Sequence, residues 1–538
     1  MNRILQNQHF IRVIQCRSKT FVTTPIFYVN ASPHIGHVYS TVIADAVVRY
    51  DKIKNPSSNV NDHILLTGTD EHGIKIQRAS EIAKKPPQQF CDDISKNFKN
   101  VFDHFDIGYT HFGRTSKDYH KNYVQRMWKN LDEKGYIYKD KYSGYYSSVD
   151  EAFYQEKDIE EVKNQGKHIL ISKETKSEVQ YVEEDNYMFK LSNFYPEVEK
   201  WIINNDVIRP KHYINQILKY MEMKEDLSIS RDSKRMSWGI PVPNDSSQTI
   251  YVWLDALMNY ISTVSYRNKS CNQWPPSWQI IGKDIMKFHA IYWPAFLLAA
   301  DLELPQKIFI HGHWTVDNIK MSKSIGNIVD PYEMSGILTP DGLRYFLLKQ
   351  GVPDCDNNFS KLKTINIINA DMINNIGNLL TRSTGKNLNS DGMYFPKEYD
   401  TLNYSVLDNS KELIEDLKNI CEKTQIHFDN LLFYKGLEEI MIVCKKANSF
   451  FQHAEPWKKE RGHELSTILY VTYETLRVIG ILLQPIIPKY TSNLLNQLGI
   501  EIDKRNLSDA IINVNNIRKE PLGKNLKHIM KRIDIVKR

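Results

Sequence analysis

Apolar positions in the first third of the chain follow two alternating rhythms. Phe21-Val22-Thr23-Thr24-Pro25-Ile26 is a short apolar run that predicts a strand, with a proline near its end. A polar loop, Asn30-Ala31-Ser32-Pro33, follows it. Val38, Val42, Ala46 and Val47 then recur at helical spacing, ending near Tyr50. Ile64-Leu65-Leu66 is a second apolar run, stopping at Gly68-Thr69-Asp70-Glu71-His72-Gly73 before another helical stretch. Strand, loop, helix, strand, loop, helix is the pattern of a parallel sheet covered by helices.

Between about 140 and 230 that rhythm breaks. The span is rich in Tyr, Lys and Glu with a charged middle at 156–184, which predicts an insertion of local antiparallel strands. The rhythm then resumes. Ile250-Tyr251-Val252-Trp253 leads into a helix. Trp278-Gln279-Ile280-Ile281 leads into Gly282-Lys283-Asp284 and a helix reaching Ala300, and Ile308-Phe309-Ile310 leads into His311-Gly312. One sheet is thus predicted from two separated halves. Past about 360, segments 365–380, 407–428, 434–451 and 465–483 show the helical period with few strand signals, so an all-helical domain follows.

A length of 538 residues is too great for one core and predicts two to four domains. Hydrophobic content of 41% with 30 tyrosines excludes a disordered chain. No run of 18 apolar residues is present, so no membrane span is expected. The net charge of +6 permits a polyanionic partner without demanding one. Cys16, Cys91, Cys271, Cys355, Cys421 and Cys444 are scattered, which excludes a local C-x-x-C knuckle and argues for a reducing compartment. Residues 1–20 carry Arg3, Arg12, Arg17 and Lys19, and the first acidic residue is Asp45. This acid-free, potentially amphipathic leader has the pattern of an organelle transit peptide. The last stretch, 518–538, has eight Lys/Arg against two acids, readable as a solvated end or as a nucleic-acid contact.

Two motifs carry chemistry. His34-Ile35-Gly36-His37 falls between a predicted strand and a predicted helix, beside helix N-terminal N–H groups that attract anions. Imidazole N–H can donate to phosphate oxygens, and Gly36 lets a nucleotide approach the backbone. Lys320-Met321-Ser322-Lys323-Ser324 is a loop of two cations and two hydroxyls followed by Gly326-Asn327; lysines serve phosphates as mobile point charges.

Together, on a split βαβ scaffold, the two motifs resemble the signature pair of class I aminoacyl-tRNA synthetases. Thr24-Pro25-Ile26-Phe27-Tyr28-Val29-Asn30, Gly68-Thr69-Asp70-Glu71-His72-Gly73, Val252-Trp253-Leu254-Asp255-Ala256-Leu257, Ile281-Gly282-Lys283-Asp284-Ile285 and Asn378-Leu379-Leu380-Thr381-Arg382 resemble the methionyl-tRNA synthetase family, in its bacterial and organellar branch. The likeness covers roughly residues 20 to 535. It implies activation of L-methionine by ATP, with Mg²⁺, to methionyl-adenylate and pyrophosphate, then transfer to the 3′ end of tRNA(Met). Chemistry of this kind needs positioning and charge neutralisation rather than a protein nucleophile.

The resemblance implies roles residue by residue. His34, His37, Lys320 and Lys323 would serve the phosphates, and Gly36, Gly282, Lys283, Asp284 and His311 would line the adenosine. Asp70 would hold the substrate ammonium, against the commoner role of such an Asp as the cap of the next helix. Ile26, Tyr28, Arg231, Trp253, Ala256, Leu257, Tyr260, His289 and Trp293 would form the methionine pocket; the i, i+3/i+4 spacing of Trp253–Ala256–Leu257–Tyr260 and of His289–Trp293 lets each set face one side. Aromatic rings suit a thioether, although without the family likeness they would read as ordinary core. Asn378, Arg382 and Trp457 would read the anticodon, since amide and guanidinium groups bond base edges and an indole stacks on a base.

The expected architecture is α/β: a split Rossmann-type parallel-sheet catalytic domain with an inserted connective region, then an all-α anticodon-binding domain. Its divisions are a mitochondrial transit peptide (1–20), first catalytic half (21–135), connective insertion (136–235), second half (236–310), a stem-contact region with the lysine motif (311–362), a helical anticodon-binding domain (363–515) and a basic tail (516–538). Many relatives carry a cysteine-rich zinc knuckle in the insertion. No cysteine lies between Cys91 and Cys271, so no zinc is expected. The chain lacks the appended tRNA-binding module of some relatives, so a monomer is expected, working in the mitochondrial matrix without membrane contact. Other readings are a different class I synthetase, an inactive RNA-binding paralogue, and a small-molecule nucleotidyltransferase sharing the HxGH feature. The missing editing block, the intact motifs and the helical domain argue against these in turn.

Overall fold

The protein is described from a computed structural model covering residues 20–56, 59, 62–147, 152–154, 156–164, 167–173, 176–267, 274–321, 326–523 and 528–534. Of the expected leader at 1–20, residues 1–19 lie outside the described residues, and Thr20 begins the first strand. A six-stranded, all-parallel sheet forms the centre, in the spatial order His111–Arg114, His63–Asp70, Thr20–Tyr28, Trp278–Gly282, Ile308–His311, Ile208–Arg209. Successive strand residues point to opposite faces. Phe21, Ile64, Leu66, Ile281, Ile308 and Ile310 therefore enter one core, and Val22, Leu65, Ile280 and Phe309 the other. Burial on both faces is why these runs are continuously apolar rather than alternating.

The innermost strand runs through Pro25 to Tyr28 rather than ending beside it. A proline donates no hydrogen bond, and the register with His63–Asp70 shifts between Thr23 and Ile26. Register with Trp278–Gly282 is made at Val22 and Thr23 only. Past the proline no register pairing joins the two central strands among the described residues, and here the strand order reverses direction, the point where an open parallel sheet carries its crevice. Ligands of open parallel sheets bind at such a point.

Two expectations are corrected here. Asp245–Ile250 does not rejoin the parallel sheet; it pairs antiparallel with Ser230–Asp232 and Pro241–Val242 in a separate three-stranded sheet. A short apolar run before a helix signals a strand but not its partner. The parallel sheet gains Ile208–Arg209 instead, a two-residue edge strand from inside the inserted region and too short to leave a pattern. Other strands of the insertion are antiparallel as expected, Ile137–Ser147 with Gln180–Phe189 and Ile159–Asn164 with Lys167–Ser172, while Tyr195–Asn204 and Tyr213–Met221 are helices.

The C-terminal half is helical, with Lys411–Phe428, Phe433–Ala454 and His463–Leu483 as its main helices. The last is long and apolar enough to cross a membrane, but its apolar window is 94% buried, and it forms the centre of this domain. The helix expected over 365–380 is in three parts: Lys361–Ile368, a π-helical stretch Asn369–Gly377, and Asn378–Ser383. The C-terminal end folds back onto the π-helical stretch, where Asn369 exchanges two hydrogen bonds with the backbone of Ile533 at 2.9 and 3.0 Å.

One buried side chain joins the halves. Arg344, on helix Pro340–Gln350, is fully buried and forms an ion pair with Asp45 at 2.6 Å. It donates to the carbonyls of Ile486 (2.8 Å) and Pro485 (3.1 Å) in the helical domain and of Phe105 (3.2 Å) beside the sheet. Only guanidinium has enough donors in a fixed fork to satisfy these acceptors together.

Candidate active site

The first motif begins helix Ile35–Lys54. His34 is its N-cap in extended conformation, and its Nδ1 accepts the Gly36 N–H at 3.1 Å, while His37 Nδ1 accepts the His34 N–H at 3.0 Å. This is a capping box built from two imidazoles. Because both Nδ1 atoms are acceptors, the neutral rings carry their protons on Nε2. Burial, with His313 and Lys320 nearby, pulls His34 down to about 4, and burial with His34 alongside depresses His37 further. The motif thus holds two neutral N–H donors at a helix N-terminus. A Cβ on Gly36 would stand 2.8 Å from His34 Cε1, so this glycine makes room for the capping ring.

The second motif adjoins the first. Ile35 N–H donates to the Val329 carbonyl at 3.2 Å, and Met321 Cε lies 3.7 Å from the place a Gly36 Cβ would take. Lys320 approaches Asp284 at 3.4 Å. Ser322, Lys323 and Ser324 lie outside the described residues.

Asp284 follows the crevice strand Trp278–Gly282 and is half-exposed, with its other oxygen 3.2 Å from His313 Nε2. Burial opposes its charge, but His313 and Lys320 hold the carboxyl well below the usual range. Lys283 turns away to Asp356 at 2.8 Å. His311 is buried, donating from Nδ1 to the Gly312 carbonyl (2.8 Å) and accepting from Ser40 Oγ at Nε2 (2.9 Å). Burial brings it to about 4, so it is a neutral wall tying the first helix to the 311–313 turn. A Cβ on Gly282 would stand 3.1 Å from Asp284 Oδ1, so the glycine clears the floor of the crevice.

Asp70 ends strand His63–Asp70, opposite Tyr28 in register, and is buried. The helix that follows, Ile74–Ile82, has Gly73 as its N-cap without a side-chain bond, so Asp70 is not its cap. Burial, and then the Asp70 carboxylate, push Tyr260 above the usual phenol range. Tyr260 Oη donates to His289 Nε2 at 2.7 Å while His289 Nδ1 donates to the Ile285 carbonyl at 3.0 Å. Burial holds His289 near 4. Ala256, Leu257 and Trp293 are buried beside them, and Tyr260 and Trp293 rings lie 6.0 Å apart. Ile26 and Tyr28 are half-buried on the side of the strand opposite Phe27, which packs on Phe98 and Phe102.

The expected α-helical spacing of His289 and Trp293 is replaced by a π-helical turn, Phe288–Tyr292, with Trp293 starting the next α-helix. The wider turn brings out Phe288, which sequence reasoning missed: its ring stacks on Trp253 at 3.6 Å and 5°. π-turns are rare and concentrate at functional sites, and nothing in residue pattern separates one from an α-turn. Arg231 is buried in the small antiparallel sheet, donating to the Ser228 and Ser230 carbonyls at 3.3 and 2.7 Å, with its guanidinium 4.3 Å from the Tyr251 ring.

Far along the chain, Asn378 is exposed on helix Asn378–Ser383, and Arg382 on the same helix lies over the rings of Phe451 (5.1 Å) and Trp457 (5.2 Å). Trp457 is 43% exposed. Also missed were Glu71, buried with Arg114 at 2.6 and 2.9 Å, and His120, buried against Asp255. No group of three His, Cys, Asp or Glu among the described residues is placed to hold a metal.

A family model for class I tRNA synthetases (M) matches residues 20–384, and one for the anticodon binding domain of methionyl tRNA ligase matches 404–522. The chain is 42% identical over 500 residues to the mitochondrial methionine–tRNA ligase of Takifugu rubripes, covering 90% of this chain and 83% of that protein. It is 40% identical over 512 residues to that of Homo sapiens, covering 92% and 86%. Among solved structures, Mycobacterium tuberculosis methionyl-tRNA synthetase in complex with methionyl-adenylate superposes with a TM-score of 0.86 at 33% identity, over 95% of this chain and 99% of that one.

Proposed function

From the premise that this chain belongs to the class I methionyl-tRNA synthetases and is a methionine–tRNA ligase, we propose how its residues divide the work. Like the relatives it matches, it serves the mitochondrion. In the first step the methionine carboxylate attacks the α-phosphorus of ATP and pyrophosphate leaves. The Nε2–H donors of His34 and His37 meet phosphate oxygens at the N-terminus of the first helix, where they are neutral and need no proton exchange. Lys320 and Lys323 neutralise the triphosphate as charge moves onto the departing pyrophosphate. Lys320 now neighbours Asp284, and ATP binding exchanges this partner for phosphate, freeing Asp284 to accept from the ribose hydroxyls. ATP enters as its Mg²⁺ complex, with the ion carried on the phosphates.

Methionine lies across the crevice mouth. Asp70 takes its ammonium group, while Ile26, Tyr28, Trp253, Ala256, Leu257, Tyr260, His289 and Trp293 enclose the thioether. His289 has both ring nitrogens engaged, so it presents ring surface rather than a free donor. Arg231 acts from behind, supporting the wall at Tyr251. In the second step the terminal ribose hydroxyl of tRNA(Met) attacks the carbonyl of methionyl-adenylate, the acyl–phosphate bond breaks and AMP leaves, while Asn378, Arg382 and Trp457 read the anticodon. The proposed boundaries are those expected above, and the working unit is a monomer.

The observation carrying this reading is the adjacency of the two motifs through Ile35–Val329 and Met321, with Asp284 and Lys320 at the same crevice. ATP–pyrophosphate exchange tests it: methionine should drive exchange, and exchange with leucine or valine but not methionine would overturn it. Sedimentation tests the monomer.

A further inference from the structure

A buried polar array lies next to the methionine pocket without being part of it. Asp255 sits on the short helix Val252–Leu257, between Trp253 and the Ala256–Leu257 pair, and its side chain is 1% exposed. One carboxylate oxygen meets His72 Nδ1 at 2.6 Å and the other meets His120 Nε2 at 2.7 Å. His120 Nδ1 in turn meets Ser262 Oγ at 2.8 Å. His72 and His120 are 2% and 0% exposed. An ionised carboxylate only accepts, so both imidazoles donate to it, and the second ring nitrogen of His120 is hydrogen-bonded to the Ser262 hydroxyl. Burial works against the charge on Asp255, but the two histidines outweigh it and hold the carboxyl near 2. None of the three can leave without stranding a buried charge or donor.

The members come from four segments. His72 is two residues past Asp70, on the loop after strand His63–Asp70. Asp255 shares its helix with Trp253, Ala256 and Leu257. Ser262 shares helix Asn259–Arg267 with Tyr260. His120 lies in the first turn of Asp118–Glu133, outside the pocket, and links the others. Trp238 adds a brace by donating from Nε1 to the Glu71 carbonyl at 2.6 Å, with its ring edge-on to His72. The loop after Asp70, the helix bearing Trp253, Ala256 and Leu257, and the helix bearing Tyr260 are thus tied through one carboxylate.

We propose that His72, Asp255 and His120 are positioning residues for methionine: they fix the distance between the Asp70 carboxylate, which takes the ammonium group, and the aromatic wall that takes the thioether. The inference rests on the pocket assigned above. Methionine must meet both ends at once, so a shift of about 1 Å between them costs on the order of 10²-fold in a well-ordered site. ATP meets neither end, so its binding is insulated from the array.

The experiment measures the KM for methionine and for ATP separately in pyrophosphate exchange, with a melting curve for each variant. His120→Phe fills the space but cannot donate. It is expected to raise the methionine KM by about 10-fold or more, leaving the ATP KM within about twofold. His120→Gln keeps one N–H donor and is expected to return the methionine KM to within about threefold of the parent. A folded His120→Phe with an unchanged methionine KM, or with both KM values rising together, overturns the proposal. If His120→Phe does not fold, Ser262→Ala removes only the hydroxyl behind His120; a rise of about threefold in the methionine KM alone supports the proposal and no change refutes it. A parent enzyme without methionine-dependent exchange would instead overturn the assigned activity.

Discussion

His34→Ala separates two jobs done by one ring. The first is structural: His34 Nδ1 accepts the Gly36 N–H at 3.1 Å and caps the first helix. Losing an N-cap costs about 1 kcal/mol. The second, in the proposed function, is chemical: the Nε2–H held by that geometry is the donor assigned to phosphate. Removing one donor aimed at developing charge costs about 10²–10³-fold in rate, or roughly 2.7–4 kcal/mol. Exchange by His34→Ala should therefore fall by that factor, while chemical denaturation shows a stability loss near the cap value. His34→Asn should keep the cap, because its amide oxygen accepts as Nδ1 does, and recover part of the rate through its amide N–H. Exchange by His34→Ala within about threefold of the parent would refute the phosphate role. A stability loss several times the cap value would move the residue's main role into the fold.

Four further outcomes are expected. Lys323→Ala should cut exchange about 10²–10³-fold with little effect on the methionine KM, read by steady-state kinetics. Arg382→Ala and Trp457→Ala should each weaken tRNA aminoacylation by roughly 1–3 kcal/mol in kcat/KM and leave pyrophosphate exchange intact; equal loss in both assays would contradict anticodon reading. Arg344→Met should remove one of the two guanidinium partners of buried Asp45, leaving Arg49 at 2.7 Å, and strip the donor from the Phe105, Pro485 and Ile486 carbonyls; stability should fall by about 1–3 kcal/mol, measured by denaturant titration. Acid should weaken the fold between pH 6.5 and about 4, where unfolded histidines bind protons that folded His289 and His311 refuse. His289 alone accounts for about 2 kcal/mol between pH 7 and 5, and stability should be insensitive to these groups above pH 7.

The parts of the fold legible from sequence were those with a local cause. Val38, Val42 and Ala46 mark a helix because period 3.6 is a property of one segment, and Asn378 and Arg382 share a helix for the same reason. What stayed hidden depends on partners distant in sequence. Ile250 begins one apolar run and Ile281 ends another, yet the strand of the first is antiparallel and that of the second parallel, a choice made by their partners Ser230 and Ile310 and the neighbours of these. The π-turn at Phe288–Tyr292 has no compositional signature, so the Trp253–Phe288 stack was out of reach. In the site, HxGH and KMSKS pointed to phosphate chemistry but not to tautomers, which the two Nδ1 contacts define. His120 lay outside every motif and became visible only when folding set it 2.7 Å from Asp255.

The ion pair of Arg344 and Asp45 makes the molecule a ruler that salt does not stretch. Exposed charges more than about 8 Å apart lose most of their attraction at physiological ionic strength. Arg344 and Asp45 are 0% and 1% exposed, out of reach of that screening. Contacts to tRNA phosphates, by contrast, release counterions and weaken steeply as salt rises. The grip on the nucleic acid and the spacing between the ATP crevice and the Arg382–Trp457 platform therefore answer to different variables. Rising salt should loosen the hold on tRNA without altering where the two ends of the enzyme stand.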